Sequence, residues 1–371
     1  MQTDRAAPHS AHQQPFVGLE QRLLARARAL ACPAGSEILV GFSGGADSLA
    51  LAAGLARIAD KAGLQPRLAH VDHALRDISH EEQQQARRQA MTLNLPFHAL
   101  RVGGHCRERH PGVGLEEAAR RERYLALAGL VAERGAPLLA LAHHATDQAE
   151  TILLHLLRGA GLGGAAGMAE RSTLPVPWWE SPAARSPAQI EIWRPLLAES
   201  RHAVRHYAAT LAPLGLSPIA DPSNDDLTLR RNALRQRALP LLEQIAPGAT
   251  AALARYGRLV VEDEAYLNAV ALAELRLSGV PDDELAVAAL ARQPLALRRR
   301  IVRAWLRQRT GLPAISADRT EAVLGLVAAG EGGRRIEVGE GWVVTVRGGR
   351  IGCHVGLDDE KRVEGDAGDH W

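Results

Sequence analysis

The sequence predicts an α/β protein: a parallel-sheet domain, then a helical domain and a small β piece. Three observations predict it. Short apolar runs alternate with helix-length amphipathic segments from Glu37 to Arg158, which is the pattern of βαβ units. The spacing then turns mostly helical from about 240 to 330. Finally, residues 334–354 alternate in the two-residue period of strands. The boundaries drawn from these changes are a tail at 1–18, a first domain at 19–235, a helical domain at 236–330, a β segment at 331–356 and a second tail at 357–371.

Composition narrows the class. A chain of 371 residues has length for two domains, and 46% hydrophobic content supports sizeable cores. Aromatics are only 4%, so aliphatic and alanine packing must fill them. Net charge is +2, yet nearly every cation is arginine, with lysine only at 61 and 361. Arginine suits phosphate and nucleic-acid contacts where it clusters. Cys32, Cys106 and Cys353 lie far apart, which argues against a zinc ribbon, an iron–sulfur cluster or a disulfide scaffold. No signal-peptide core and no long apolar run is present, so the expectation is a cytoplasmic protein without a membrane span.

Taken in order, Leu19–Leu30 reads as a leading helix, and Ile38–Phe42 as a buried strand broken by Ser43-Gly44-Gly45. Ala46–Ile58 restarts as a helix, with Leu49, Ala53 and Ala56 on one side. Pro66–Asp72 is a second strand and Ser79–Leu93 a helix opened by a capping box with Glu82. A third strand over 96–102, a helix over 114–133, a fourth strand over 137–142 and a helix over 146–158 complete the series. Residues 173–189, with four prolines and Trp178-Trp179, read as an irregular insertion before the chain returns to the core at Ile190.

The chemistry gathers at strand ends, where ligands sit in parallel sheets. The bend Ser43-Gly44-Gly45-Ala46-Asp47-Ser48 aims backbone N–H groups at a helix N-terminus, a natural anion site. The glycines admit a phosphate without a Cβ in the way, and the serines add hydroxyls. Asp47 is an acid beside that anion site, which makes sense if a divalent cation bridges it to phosphates. An ordinary turn also tolerates Gly-Gly; the full Ser-Gly-Gly-x-Asp-Ser string after a strand favours a nucleotide. At the second strand end, His70-Val-Asp72-His73-Ala-Leu-Arg76 is no zinc spacing, so His70 is expected to line the nucleotide pocket and Arg76 to face phosphate. At the fourth, Asp147 is placed as a second carboxylate for Mg2+, although Thr146 and Asp147 also suit a helix cap. Gly159-x-Gly161-x-x-Gly164 follows a helix rather than a strand, which excludes a dinucleotide fingerprint and suggests a loop closing over substrate. Arg292–Arg309 holds seven arginines and no acid. Arg299, Arg303 and Arg307 share a face opposite Leu297, Ile301 and Trp305, which favours a phosphate backbone.

These residues carry a resemblance. The bend resembles the PP-loop of ATP pyrophosphatases. With His70-Val-Asp-His73-Ala-Leu-Arg76, Glu117-Ala-Ala-Arg120, His143-His144, Asp147-Gln-x-Glu150-Thr151, Arg158–Met168, Arg194-Pro-Leu-Leu and Asp221-Pro-Ser-Asn224 before Arg231-Asn232, the order is similar to that of tRNA(Ile)-lysidine synthetases over about 19–245. The resemblance implies a PP-loop fold of the adenine nucleotide alpha hydrolase type. It implies ATP and Mg2+ as cofactors. It also implies a CAU-anticodon isoleucine tRNA and free L-lysine as partners, with lysine joined to C2 of the wobble cytidine through an adenylated intermediate. Asp47 and Asp147 would then serve the metal and adenylation, Ser43–Ser48 and His70 the nucleotide. Arg120 would be catalytic, and Arg76, Arg231, Arg299 and Arg303 would contact tRNA. A homodimer is compatible with this reading. The family's usual pair of aspartates is here Thr146-Asp147, and Asp147 keeps the metal position. Two alternatives stand beside it. A thiolase on the same scaffold needs a reactive cysteine, for which Cys106 has no partner. A non-enzymatic ATP-dependent tRNA-binding protein would need the loop but not Asp147.

Overall fold

The computed structural model describes residues 17–72, 79–103, 106–177, 188–220, 225–277, 284–312, 315–330 and 334–356. Arg76, Trp178-Trp179 and the Asp221–Asn224 turn lie outside the described residues. The chain divides into two compact units, whose described residues run to Val261 and from Glu262.

The first unit opens with α1 (Gly18–Ala29), β1 (Ser36–Gly41), α2 (Ala46–Ala62), β2 (Leu64–Asp72), α3 (Ser79–Thr92) and β3 (Phe97–Arg101). Next come α4 (Cys106–Arg109), α5 (Leu115–Arg134), β4 (Leu138–Ala140), α6 (Ala145–Leu156) and α7 (Leu162–Ala165). It continues through β5 (Arg171–Val176), β6 (Ala188–Trp193), α8 (Arg201–Ala209), α9 (Arg230–Ala233), a π-helical turn (Leu234–Ala238), α10 (Leu239–Ile245) and the start of α11 (Ala249–Leu277).

Six strands form one sheet in the order β3-β2-β1-β4-β6-β5, parallel except for β5. Ile38, Leu39 and Val40 in β1 are wholly buried, as are Leu139 and Ala140 in β4, because a parallel strand covered on both faces needs an unbroken apolar run. One face packs Ile38, Val40, Leu68, Leu138 and Ala140 against α1, α2, α3 and α8. Against them α2 is buried continuously from Ser48 to Leu55. Its Leu49, Leu51, Leu55 and Ile58 are fully enclosed, each worth about 1.5–3 kcal/mol of burial. Helix α5 lies against β2, β3, β5 and β6.

The insertion expected at 173–189 is partly regular. Residues 171–176 form β5, antiparallel to β6, with Pro175 opposite Gln189. Proline is accommodated because β5 pairs on one side only and needs no donor on the other.

The order of strands matters most for function. β1 lies between β2 and β4, so the chain runs outward in both directions from that pair. The loops after β1 and β4 therefore open into one crevice at the carboxyl ends of the strands.

The second unit contains the rest of α11, then β7 (Glu284–Ala286), α12 (Val287–Ala291), α13 (Leu295–Thr310), α14 (Ala317–Ala329), β8 (Arg335–Gly339), β9 (Trp342–Arg347) and β10 (Arg350–Val355). Its antiparallel sheet runs β7-β10-β9-β8, so a strand inside the segment expected to be helical joins the predicted β piece. Ile301, Val302, Trp305 and Leu306 of α13 pack with Val323, Val338, Val344 and Ile351. Among the described residues no helix is long and apolar enough to cross a membrane.

Candidate active site

The bend after β1 is held open by its own serines. Ser43 N–H donates to Ser48 Oγ at 3.2 Å, the two hydroxyls lie 3.1 Å apart, and Gly45 N–H donates to Ser43 Oγ at 3.3 Å. Gly44 has φ +78°, a left-handed conformation that favours glycine. Its carbonyl accepts from Ile219 N–H at 2.9 Å and Gln89 Nε2 at 3.3 Å. A Cβ on Gly44 would sit 2.4 Å from Ile219 Cδ1. Gly44→Ala therefore combines left-handed strain of about 1–2 kcal/mol with a side-chain collision. The expected result is a rise of tenfold or more in KM for ATP, read by steady-state kinetics, and an unchanged KM would show that the bend tolerates displacement.

Asp47 starts α2 and is 37% exposed, yet its Oδ1 is buried and has no hydrogen-bond partner. Its Oδ2 faces His144 Nε2 at 3.7 Å. Burial pushes the Asp47 carboxyl up; the approach of His144 and the charges of Arg205 and Arg201 outweigh it and hold it below the usual range.

His144 is the hinge of the site. It is 1% exposed and caps α6, with Nδ1 accepting from Thr146 N–H at 3.2 Å. That acceptance leaves the ring proton on Nε2, facing Asp47. Its backbone N–H donates to Asp147 Oδ2 at 2.9 Å. One imidazole thus stands between the two acids, because the switch between β1 and β4 brings their loops together.

Asp147 is already engaged: Oδ2 caps the helix and Oδ1 accepts from Arg235 Nη2 at 2.8 Å. Arg235 also forks onto Glu150, Nε to Oε1 at 2.6 Å and Nη2 to Oε2 at 3.1 Å. Glu150 is 0% exposed. Burial raises its carboxyl above the usual value even though Arg235 pulls the other way. Arg235 reaches both acids from the π-helical turn, a wide turn that often accompanies functional sites.

A second cluster surrounds His143. Burial pushes this imidazole down first, and the charges of Arg194, Arg231 and Arg120 add to that against the pull of Asp147. Arg120 and Arg123 stand 5.1 and 5.8 Å from the Tyr124 ring centre. Arg194 Nη1 donates to Ala169 O and Ser172 Oγ, each at 2.9 Å, and Arg231 Nη2 to Thr151 Oγ1 at 2.9 Å. Arg231, expected to contact tRNA, is half-buried and bonded within α6 and its surroundings. His70 is buried under the bend, with Nδ1 2.9 Å from Phe42 O and its ring stacked on Phe97. Burial lowers its pKa below the usual imidazole value.

The glycine-rich segment after α6 is pinned rather than free. Buried Gln148 donates to Ala166 O and Met168 O and accepts from Met168 N–H at 2.7 Å. In the second unit Arg299 pairs with Glu321 at 2.5 Å, and Arg300 is buried against Glu264. Arg303 is half-buried, with an unpartnered Nε. The residues that sequence reasoning underweighted are His144 and Arg235. His144 is a histidine at a helix N-cap. Arg235 stands among Arg230, Arg231 and Arg237, which hides its particular geometry.

Comparison with known proteins decides the family. A model of the PP-loop domain matches residues 19–242, and a model of the TilS substrate binding domain matches 285–350. A tRNA(Ile)-lysidine synthase of Salinispora arenicola is 38% identical over 91% of this chain and 96% of its own length. The chain belongs to the tRNA(Ile)-lysidine synthase family. Lysidine synthases of Nocardia farcinica and Rhodococcus jostii are 40% and 36% identical, over 82% and 95% of this chain and 86% and 99% of theirs. A solved U34-tRNA thiolase from Methanococcus maripaludis aligns with TM-score 0.52 at 16% identity, over 65% of this chain and 78% of its own, a likeness of fold alone.

The lysidine synthase scaffold also admits a test for metal. Among the described residues no three His, Cys, Asp or Glu side chains gather as a ready-made cage. Mg2+ at nucleotide sites instead uses one or two carboxylates completed by phosphate oxygens. The partnerless Oδ1 of Asp47 beside an anion-binding bend fits that donor set.

Proposed function

We propose that this chain joins free lysine to C2 of the wobble cytidine in a CAU-anticodon isoleucine tRNA, using ATP with Mg2+ and releasing AMP and pyrophosphate. The single observation that carries it is the buried, partnerless Asp47 Oδ1 at a glycine bend whose helix start faces His144. The C2 carbonyl oxygen attacks the α-phosphorus, the α–β bond breaks and pyrophosphate leaves. The neutral lysine amine then attacks C2, and AMP departs with the oxygen.

The backbone N–H groups of the bend and the α2 N-terminus take the phosphates. Asp47 would hold Mg2+, which would supply charge neutralisation at the phosphates. Arg120 and Arg194, which act with Asp147 on His143, would supply positive charge for the adenylated intermediate. Arg299 and Arg303 on α13 offer the tRNA stem its phosphate contacts; Arg299 must exchange Glu321 for phosphate to do so, a small cost for an exposed pair.

A thiolase reading finds no support in the site. Cys106 is fully buried and turns its thiol toward Gly103 O at 3.5 Å, and Cys353 is buried in the second unit. The deciding experiment incubates the protein with ATP, Mg2+, labelled lysine and a panel of tRNAs. Label confined to the CAU isoleucine tRNA, with stoichiometric AMP and pyrophosphate, is the expected result. AMP formed without lysine transfer would overturn it.

A further inference from the structure

The stripe of α6 that carries Asp147, Glu150 and Thr151 does not end at the reacting cluster. Steps of three and four residues continue it through Leu154 to Leu157 and Arg158, just past the end of the helix. The segment packed against α6, from α9 through the π-helical turn, divides its side chains in the same way. Arg231 and Arg235 turn to Thr151, Glu150 and Asp147. Leu234, Arg237, Ala238 and Leu241 instead line a cavity of about 550 Å³ together with Leu154 and Leu157. That volume falls in the range of about 300–1,000 Å³ that small-ligand sites occupy. Leu154 lies two turns beyond Asp147, about 10 Å along the helix axis.

The walls of this cleft are apolar and its rim is cationic. Leu154, Ala233, Leu234 and Ala238 are half-buried, while Leu157 and Leu241 remain 75% and 55% exposed. Arg158, Arg230 and Arg237 stand at the rim, all exposed, and among the described residues none of the three has an ion-pair partner. Their neighbours Arg231 and Arg235 are engaged, so the segment holds its used arginines on one side and its free ones on the other. Free guanidinium groups around a leucine-walled floor complement a chain that carries anions on its outside and flat apolar faces beside them. Single-stranded RNA with a base turned out has that form. A duplex does not, because its bases stay stacked inside. A second copy of this chain is a poor occupant, since a self-complementary contact would set the arginine rim against itself. No aromatic side chain lines the cleft, so guanidinium planes and leucine would supply the stacking surface.

We propose that the cleft between α6 and the α9–α10 segment seats the unstacked base that follows the reacting cytidine, the adenosine of the CAU anticodon, with Arg158, Arg230 and Arg237 on the flanking phosphates. This rests on the lysidine reading above and adds to it a contact that selects substrate. The cleft continues the same α6 stripe as the reacting cluster, so a neighbour drawn into it holds the loop open and leaves the cytidine at Asp147 and Glu150. A tRNA whose loop cannot release that base would present its cytidine stacked and out of reach.

The test uses the full chain and CAU isoleucine tRNA in which 2-aminopurine replaces that adenosine, without ATP or lysine. Emission should rise severalfold on binding, because the base leaves its stack for a site without aromatic side chains. Ala233→Leu, which fills the cleft, should abolish the rise and weaken tRNA binding about tenfold, while KM for ATP stays unchanged. An abasic residue in place of the adenosine should weaken binding to the wild-type protein about tenfold and leave the affinity of the filled variant as it is. Arg158→Gln and Arg237→Gln, at exposed positions that do not support the fold, should each lower the slope of log affinity against log salt by about 1. Bound tRNA with no change in emission overturns the proposal, and so does an abasic tRNA bound as tightly as the intact one. An Ala233→Leu protein that binds tRNA normally but sediments as a different oligomer also overturns it, and makes the cleft a protein interface. Each of these outcomes leaves the lysidine reading standing. AMP formed without lysine transfer defeats that reading alone, because the binding signals are recorded before any chemistry.

Discussion

Asp47→Asn should abolish ATP cleavage, lowering pyrophosphate release by about a thousandfold, while tRNA binding survives. The substitution keeps the size of the side chain and removes its charge. Asp47 Oδ1 is buried without a partner, so its charge serves something the protein alone does not provide. The fold should tolerate the change. Burial is the largest influence on this carboxyl and opposes its charge, and an amide escapes that cost. The electrostatic contribution also has a definite sign. Since the folded pKa lies below 3.8, ionised Asp47 stabilises the protein above that value, and the stabilisation is lost as pH falls through the folded pKa. Melting of the variant at pH 7 should therefore fall by that contribution, and the gap to the wild-type protein should close as pH drops through the folded pKa. Pyrophosphate release and filter binding of tRNA separate the two roles. If both fall together, Asp47 is a structural residue and the proposed chemistry fails.

Arg235→Met should cost about 3–5 kcal/mol of stability, a fall of about 10 °C in Tm. It leaves Glu150, with 0% exposure, as an unpaired buried acid and frees Asp147 Oδ1. Glu150 already titrates above 4.5 because burial outweighs Arg235. A carboxyl raised in the folded state contributes stability below 4.5 and loses it as pH rises through the folded value. Removing Arg235 raises that value further. The gap between variant and wild type should therefore be widest near pH 7 and narrow toward pH 5. Adding Glu150→Gln should recover part of the loss by removing the buried charge. Thermal melts across that range decide it: a gap independent of pH, or no recovery in the double variant, would mean that Arg235 acts through packing of its stem alone.

Much of this protein is legible from local pattern. The apolar runs at Ile38–Val40 and Leu138–Ala140 mark parallel strands because both faces of such a strand are covered. Ser43–Ser48 marks a tight bend because the φ of +78° found at Gly44 favours glycine. The opposed faces of α13 were equally plain, and Ile301 and Trp305 are indeed buried. β5 was hidden by Pro175, which reads as a breaker until the partner strand places it at an edge. The three-residue β7 carries too little period to be seen alone; it exists because β10 offers it a ladder.

The motifs put forward Asp47, Asp147, Arg120 and His70 as candidates, since each motif depends on neighbours a few positions away, but they did not single out His144 or Arg235. Their pairing depended on the order of strands. His144 between Asp47 and Asp147, and Arg235 forked over Glu150 from 85 residues away, are contacts made by the fold. Hydrogen bonds and charges act through space over a few ångströms. A chain records which groups it carries, and only the fold, with β1 and β4 paired side by side, decides which of them meet.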